Sequence, residues 1–269
     1  MSTGHVYFIG AGPGSPDLIT VRGREILERA DVIIYADSLI DPHICDCASP
    51  NAQILASSPL TLEEICALMI TSAREDKIVA RLQSGDPSIY GAIHEQIARL
   101  KAAEVPWSIV PGVSSAFAAA AMLGIELTVP EVTQTIILTR ISGRSSPVPP
   151  SEELRGLAAH DSSLVLFLSV GYIRRVVKEL IEGGYSKDTP VAVVYRVTWT
   201  DEAAMRGTLG DIASRVRAAK WNKQALILVG KALAEDMERD GHRSRLYAPD
   251  YNHLFRRVKP SRPKMQESR

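Results

Sequence analysis

Arg81-Leu82-Gln83-Ser84-Gly85-Asp86-Pro87-Ser88-Ile89-Tyr90-Gly91 follows the short apolar run Ile78-Val79-Ala80 and precedes a helical pattern starting near Ala92. The run reads as a buried parallel strand, so the stretch is a loop beyond a strand's carboxyl end, where ligands of open α/β sheets sit. Gly85 lets a ligand approach the backbone closely, and Pro87 stiffens the turn. Asp86 offers an acceptor to a hydroxyl or a cationic group. Gly, Asp and Pro are equally the ordinary residues of a strand-to-helix turn. The rest of the chain has to decide between the two readings.

Towards the N-terminus, Val6-Tyr7-Phe8-Ile9 reads as a first buried strand, followed by the loop Gly10 to Thr20. Thr20 is placed to cap a helix running to about Ala30. A second strand, Val32-Ile33-Ile34-Tyr35, ends at Asp37. This resembles a dinucleotide-binding unit, with an acid poised to hold a ribose. The detail argues against it: Ser15 stands where a third glycine is needed, and Pro13 and Pro16 remove amides that would cradle pyrophosphate. The loop is a glycine-rich, cofactor-facing loop of another kind. Leu62 to Ala73 follows as an amphipathic helix.

Beyond the opening stretch, a helix from about Ala92 to Ala102 leads to the strand Trp107-Ser108-Ile109-Val110 and then to Pro111-Gly112-Val113-Ser114-Ser115. An alanine-rich helix runs on to Leu123, its small face suited to close packing on a sheet. Ser114 or Ser115 either caps that helix or bonds a ligand at the strand end. Three loops after strands thus carry Gly with Pro or Asp, and all open on one side of one sheet. That coincidence points to a binding site.

Residues 1–123 form an N-terminal α/β domain on this reading, and 124–134 a connection. Residues 135–232 form a second α/β domain, and 233–269 a charged tail. Strands are expected at Thr135 to Thr139, Ser163 to Leu168, Pro190 to Tyr195, Ala203 to Gly207 and Ala225 to Val229. Helices are expected to start at Ser151 and to span Tyr172 to Glu182 and Leu209 to Lys220. Two strands close together late in the series imply a mixed sheet. The tail reads as solvated.

Lys+Arg and Asp+Glu both total 31 in 269 residues, a balance that disfavours a general nucleic-acid binder. No apolar run approaches the ~20 residues of a membrane span, the N-terminus carries no signal-peptide pattern, and three cysteines fit a reducing cytoplasm. His43, Cys45 and Cys47 would share one face if their segment were extended, but no second ligand cluster accompanies them, so no metal is expected.

The three loops, in order, resemble the class III tetrapyrrole methyltransferases. The likeness rests on Val6 to Gly14 with Leu18-Ile19-Thr20, on Ser84-Gly85-Asp86-Pro87 with Tyr90-Gly91, and on Val110 to Ser115. It continues through Thr189 to Tyr195 and Gln224 to Gly230, covering about residues 4 to 232. Tyr90 to Gln96, Leu138 to Arg144 and Val197 to Glu202 are most similar to the branch that methylates C11 of precorrin-4 or cobalt-precorrin-4. The resemblance implies two α/β domains with S-adenosylmethionine folded in the cleft between them, a homodimer, and a tetrapyrrole substrate.

Carried over by matching position, Pro13 corresponds to the family's cofactor-contacting proline. Ser84, Gly85, Asp86 and Ile89 correspond to the loop around the cofactor's amino-acid end, and Ser114 and Ser115 to the pair after the Pro-Gly turn. Leu168, Arg196 and Ala225 fall near positions contacting the adenosyl part, although Ser169-Val170 departs from the commoner Met-Gly pattern. Arg140 and Arg144 suit a substrate with many carboxylates, since guanidinium groups bind them bidentately, or else form an ordinary exposed pair. Tyr90 either contacts the macrocycle or packs. Methyl transfer from a sulfonium needs positioning more than acid–base machinery, and the sequence selects no base. Rival readings are a tetrapyrrole methyltransferase of the same family acting at a different ring carbon, a nicotinamide oxidoreductase, a non-catalytic tetrapyrrole carrier, and a methyltransferase of ribosomal RNA or of a modified histidine.

Overall fold

The computed structural model describes residues 4–143, 147–234 and 244–257. Two five-stranded sheets organise it. The first contains β1 (His5–Gly10), β2 (Val32–Tyr35), β3 (Gln53–Ala56), β4 (Ile78–Gln83) and β5 (Trp107–Val110), in the order β3-β2-β4-β1-β5. Every pairing in it is parallel. Both faces are covered, which explains the near-continuous apolar strands. Ile9, Ile33, Ala80 and Leu82 pack with Ile26 and Leu27 of α1 (Val21–Arg29). Val6, Phe8, Ile34 and Val79 pack with Ile65 and Met69 of α2 (Leu62–Arg74) and Leu100 of α3 (Ile93–Ala102). Thr20 caps α1, its hydroxyl accepting from the Gly23 amide at 3.2 Å.

The order contains a topological switch point. The chain leaves β1 through α1 towards β2 on one side, and leaves β4 through α3 towards β5 on the other. The connections from the adjacent carboxyl ends of β1 and β4 therefore leave in opposite directions, the arrangement beyond which ligands of open α/β sheets bind. The opening stretch sits at that point.

The second sheet contains β6 (Ile136–Arg140), β7 (Ser163–Phe167), β8 (Pro190–Tyr195), β9 (Ala203–Thr208) and β10 (Ala225–Val229), in the order β6-β7-β10-β8-β9. β6 and β7 are parallel and the remaining pairs antiparallel, the mixed sheet expected from spacing. One face packs on α5 (Leu154–Ala158), α6 (Ile173–Glu182) and α7 (Ile212–Ala218). The opposite face is covered by α4 (Ser115–Leu123): Ala116, Ala118, Ala119 and Ala120 lie on Val165, Ala192, Val194, Leu226 and Leu228. Arg206 of β9 donates to the Leu123 carbonyl at 2.7 Å, and Gly124 (φ +65°) closes the helix. The alanine face thus does pack on a sheet, but on the second one, although α4 precedes the expected boundary at 123.

Several local readings need correction. β3 is absent from the sequence reading: it is only four residues long, and three of the four, Ile54 among them, are exposed. Residues Pro42–Cys47 form a 3-10 turn, not an extended segment, so His43, Cys45 and Cys47 do not share a face. His43 bonds Asp41 at 2.6 Å, while burial pushes the Cys45 thiol up to about 11. Pro150–Glu152 is a separate 3-10 turn, so the helix expected from Ser151 begins at Leu154. Part of the expected tail folds back on itself: Arg256 donates to the carbonyls of Leu246 and Ala248, both at 2.7 Å.

Candidate active site

Three backbone segments from the first sheet touch at glycines. A Cβ on Gly112 would lie 2.2 Å from the Gly85 oxygen and 2.6 Å from the Gly10 Cα, so only hydrogen fits there. Gly85, at φ +66°, donates its amide to the Gly12 carbonyl at 2.8 Å and accepts from the Gly12 amide at 3.3 Å. Asp86 locks the third loop to the second by accepting from the Gly112 amide at 2.9 Å. It also accepts from the Ser88 amide at 2.9 Å and from the Ser88 hydroxyl. Burial raises the Asp86 pKa, but these hydrogen bonds outweigh it and hold the carboxyl below its ordinary value. The sequence offered Asp86 as a ligand acceptor and Gly85 as an open backbone; both are engaged first in joining the loops.

The junction forms the floor of a cavity of about 470 Å³, within the usual range for small-molecule sites. Pro13, Ser84, Gly85, Asp86 and Ile89 line it from the first sheet's loops. Ser114 and Ser115 line it from the start of α4. Leu168, Arg196 and Ala225 line it from the second sheet, and Tyr90 stands at the same cleft. Ser114 is the helix cap, its hydroxyl accepting from the Ala116 amide at 3.3 Å. Arg140 is not among the lining residues; its guanidinium lies 6.0 Å from the Tyr90 ring centre and donates to the Ile141 and Pro147 carbonyls. Arg144 falls outside the described residues.

The second sheet builds its wall from strained backbone. Leu168, Arg196 and Gln224 line the cleft with left-handed φ values of 52°, 44° and 52°, and Tyr90, on the loop after β4 of the first sheet, faces them at 54°. Such conformations cost of order 1–3 kcal/mol each and gather at ligand sites. Leu168 is 65 % exposed, its side chain held over the opening rather than continuing β7 as expected. The Tyr90 and Phe167 rings are 5.4 Å apart, and burial raises the Tyr90 pKa although Arg140 opposes it.

Residues not singled out from sequence hold the walls together. Trp199 donates its indole N–H to the Pro13 carbonyl at 3.2 Å and stacks under Arg196, whose Cζ is 4.1 Å from the ring centre. The Ser15 amide donates to Thr198 Oγ1 at 2.9 Å, and Gln224 donates to the Ser38 carbonyl at 3.0 Å. Arg196 pairs with Asp201, yet its Nε is buried without a partner among the described residues. Phe167 and Gln83 also line the cleft. Only Trp199 had a sequence signal, an indole in a loop directly after a strand. Asp37, the acid offered for a ribose, instead accepts from the Ser58 amide (2.9 Å) and hydroxyl (2.7 Å), tying two loops together.

A switch-point cleft closed by a second mixed sheet narrows the possibilities, and comparison with known proteins decides among them. The model of the tetrapyrrole (corrin/porphyrin) methylases matches residues 5–213. The chain belongs to that family. Among curated members of the tetrapyrrole methylases, it is 49 % identical to the cobalt-precorrin-4 C(11)-methyltransferase of Methanocaldococcus jannaschii, over 94 % of this chain and 96 % of that protein. It is 45 % identical to the precorrin-4 C(11)-methyltransferase of Pseudomonas aeruginosa, over 93 % and 98 %. The X-ray structure of a cobalt precorrin-4 methyltransferase matches with a TM-score of 0.83 and 49 % identity, covering 86 % of this chain and 96 % of that one. A uroporphyrin-III C-methyl transferase from Thermus thermophilus, solved with S-adenosyl homocysteine, matches at 0.73 and 28 %, covering 86 % and 99 %.

Proposed function

We propose that the chain is an S-adenosylmethionine-dependent methyltransferase acting on C11 of precorrin-4 or its cobalt form, on the path to vitamin B12. One observation carries the reading: the ten positions matched to cofactor contacts, scattered from Pro13 to Ala225, line a single cleft. The names of the relatives at 45–49 % identity support the ring position, and the homocysteine nucleoside held by the Thermus relative supports the cofactor. The cleft suits such a ligand: Ile89, Leu168 and Ala225 offer it apolar surface, and the buried Arg196 Nε–H is a donor with no acceptor among the described residues.

S-adenosylmethionine brings a methyl group already activated by its sulfonium; the methyl's bond to sulfur breaks as a ring-carbon electron pair forms the new bond. What remains for the protein is orientation, worth roughly 7–11 kcal/mol in favourable systems. The glycine junction and the Asp86 clamp fix the floor, while Leu168 and Arg196 fix the opposite wall. Tyr90, Arg140 and Arg144 are the residues we assign to the macrocycle. The neighbouring Tyr90 and Arg140 support this at the cleft's rim. The same reading, on resemblance, makes the enzyme a cytoplasmic homodimer. Among the described residues no helix is long and apolar enough to cross a membrane.

The test is mass spectrometry of products from precorrin-4 with and without cobalt, using methyl-labelled cofactor. One labelled methyl on the macrocycle is expected. Label that stays on the cofactor while the tetrapyrrole binds would make the protein a carrier, and tight NADH binding without S-adenosylhomocysteine binding would make it an oxidoreductase. Arg140→Ala should raise the tetrapyrrole KM by roughly fivefold, the scale of one partly exposed charge contact, and leave S-adenosylhomocysteine affinity unchanged. An unchanged KM removes Arg140 from the substrate site.

A further inference from the structure

Gln83 is the last residue of β4, 5 % exposed, and its carboxamide Nε2 is buried without a hydrogen-bond partner among the described residues. Its backbone is fixed in the sheet, the carbonyl accepting from the Ala11 amide at 2.8 Å. Strand alternation puts its side chain on the same face as Arg81 and Val79. Polar side chains on a doubly covered parallel strand are costly unless satisfied. Arg81 shows how that is done. It is 6 % exposed and donates to Gln96 Oε1 (3.3 Å), the Ile34 carbonyl (3.3 Å) and Ser57 Oγ (3.1 Å). Gln83, one step nearer the cleft it lines, has no equivalent for its N–H donors.

Two further observations indicate what the missing acceptor is. Four side-chain atoms are buried and unpartnered among the described residues, and two of them, Gln83 Nε2 and Arg196 Nε, belong to residues lining this one cleft. They come from opposite walls, one from each sheet. In addition, the three hydrogen bonds of Arg81 all go to neutral acceptors. Burial pulls its pKa down to about 10, which still leaves it a cation at neutral pH. Among the described residues no carboxylate pairs with Arg81, so a positive charge is carried two residues from Gln83 on the same strand face, and in a poorly screened interior it favours an anionic acceptor.

We infer that Gln83, backed by the Arg81 cation, donates its carboxamide N–H to a carboxylate of the ligand bound in the cleft. The inference rests on the proposed function, which supplies two sources of that carboxylate: the amino-acid end of S-adenosylmethionine and the acidic side chains of the macrocycle. Gln83 is thus a binding and positioning residue that the loop motifs do not include.

Titration calorimetry on Gln83→Met, close in size but without the donor, tests it with S-adenosylhomocysteine and with methylthioadenosine, which lacks the carboxylate. The tetrapyrrole KM is measured alongside. One of two patterns is expected. Either S-adenosylhomocysteine binding weakens about tenfold with methylthioadenosine unchanged, or the tetrapyrrole KM rises about tenfold with both nucleosides unchanged. The first assigns the cofactor's carboxylate and the second the macrocycle's. The ligand-free melting temperature should be unchanged or higher, because an unsatisfied buried group is gone. Unchanged binding of all three ligands overturns the inference, as does equal weakening of both nucleosides or a fall in the ligand-free melting temperature. Gln83→Glu, which keeps the size and adds a negative charge, should lose more affinity than Gln83→Met; tighter binding would overturn the donor role. Wild-type protein that binds none of the three ligands sinks the proposed function itself. Wild-type binding with an unaffected variant sinks only the role of Gln83.

Discussion

The two walls of the cleft are built by different means. The first sheet contributes backbone: three loops meet at Gly10, Gly85 and Gly112, with separations that exclude a methyl group at Gly10 and Gly112 and a left-handed φ of +66° at Gly85. The second contributes side chains, carried by bulky residues in left-handed conformations such as Leu168 and Arg196. A parallel sheet sends neighbouring strands the same way, so at a switch point its loops lie side by side and can touch. A mixed sheet brings strand starts and strand ends to the same edge, as β7, β8 and β10 do here, and its turns are individual. Changes at the floor should therefore act on folding, and changes at the opposite wall on binding.

The sharpest way to break this contrast is Gly112→Ala. The new Cβ would collide with backbone of two other loops, and neither neighbour is a flexible side chain. Loss of about 3 kcal/mol or more of unfolding free energy is expected, with methyl transfer abolished. Denaturant unfolding measures it, and a loss under about 1 kcal/mol would show that the loops are free to separate.

Asp86→Asn comes next. Charge-assisted hydrogen bonds to the Gly112 and Ser88 amides weaken, at a cost of about 1.5–3 kcal/mol. Its carboxyl is held below the ordinary value of 3.8, so the stabilisation is complete above that pH and is lost as pH falls through the folded-state value. The melting-temperature gap between wild type and variant should be full at pH 7 and close as pH falls below 3.8. A gap independent of pH would detach the effect from the carboxylate.

Much of this first wall was legible in the sequence because its residues are chemically marked. Gly-Asp-Pro and Pro-Gly after apolar runs admit few backbone paths, and the strands between them carry their own signal. The second wall was less legible. Nothing in Phe167-Leu168 announces that the strand ends one residue early with a leucine at φ +52°, since leucine has no intrinsic preference for that conformation. The alanine face of α4 fits any sheet, so nothing in its residues selects the second sheet over the first. Gln83 reads from sequence as part of the loop after Ala80, whereas it ends β4, and a lack of partners cannot be read from residue type. β3 went unseen because it lies at the edge and is mostly exposed.

Trp199→Phe sharpens the comparison where the walls join. Phenylalanine keeps a ring beneath Arg196 and removes the donor to the Pro13 carbonyl. The expected cost is about 1 kcal/mol of stability, the net worth of one hydrogen bond, with S-adenosylhomocysteine affinity lowered several-fold because Pro13 and Arg196 both line the cleft. Calorimetric titration beside thermal unfolding reads both; a stability loss with unchanged affinity would make Trp199 a brace without influence on the site.

The smallest effect separates the walls most cleanly, because it should carry opposite signs for folding and for binding. Leu168 sits in a left-handed conformation that glycine adopts without strain, and at 65 % exposure its side chain buries little in the free protein. Leu168→Gly relieves strain worth about 1 kcal/mol but loosens the unfolded chain and gives up residual packing, leaving a net gain of a few tenths of a kcal/mol. The same change removes apolar contact from the cleft, so S-adenosylhomocysteine should bind roughly three- to tenfold more weakly, as expected for losing part of a leucine's burial. A protein slightly more stable and a worse binder would show that the second wall holds its strain for the ligand's sake. A variant both less stable and equally tight would mean that Leu168 is held for packing, and that the two walls differ in geometry but not in purpose.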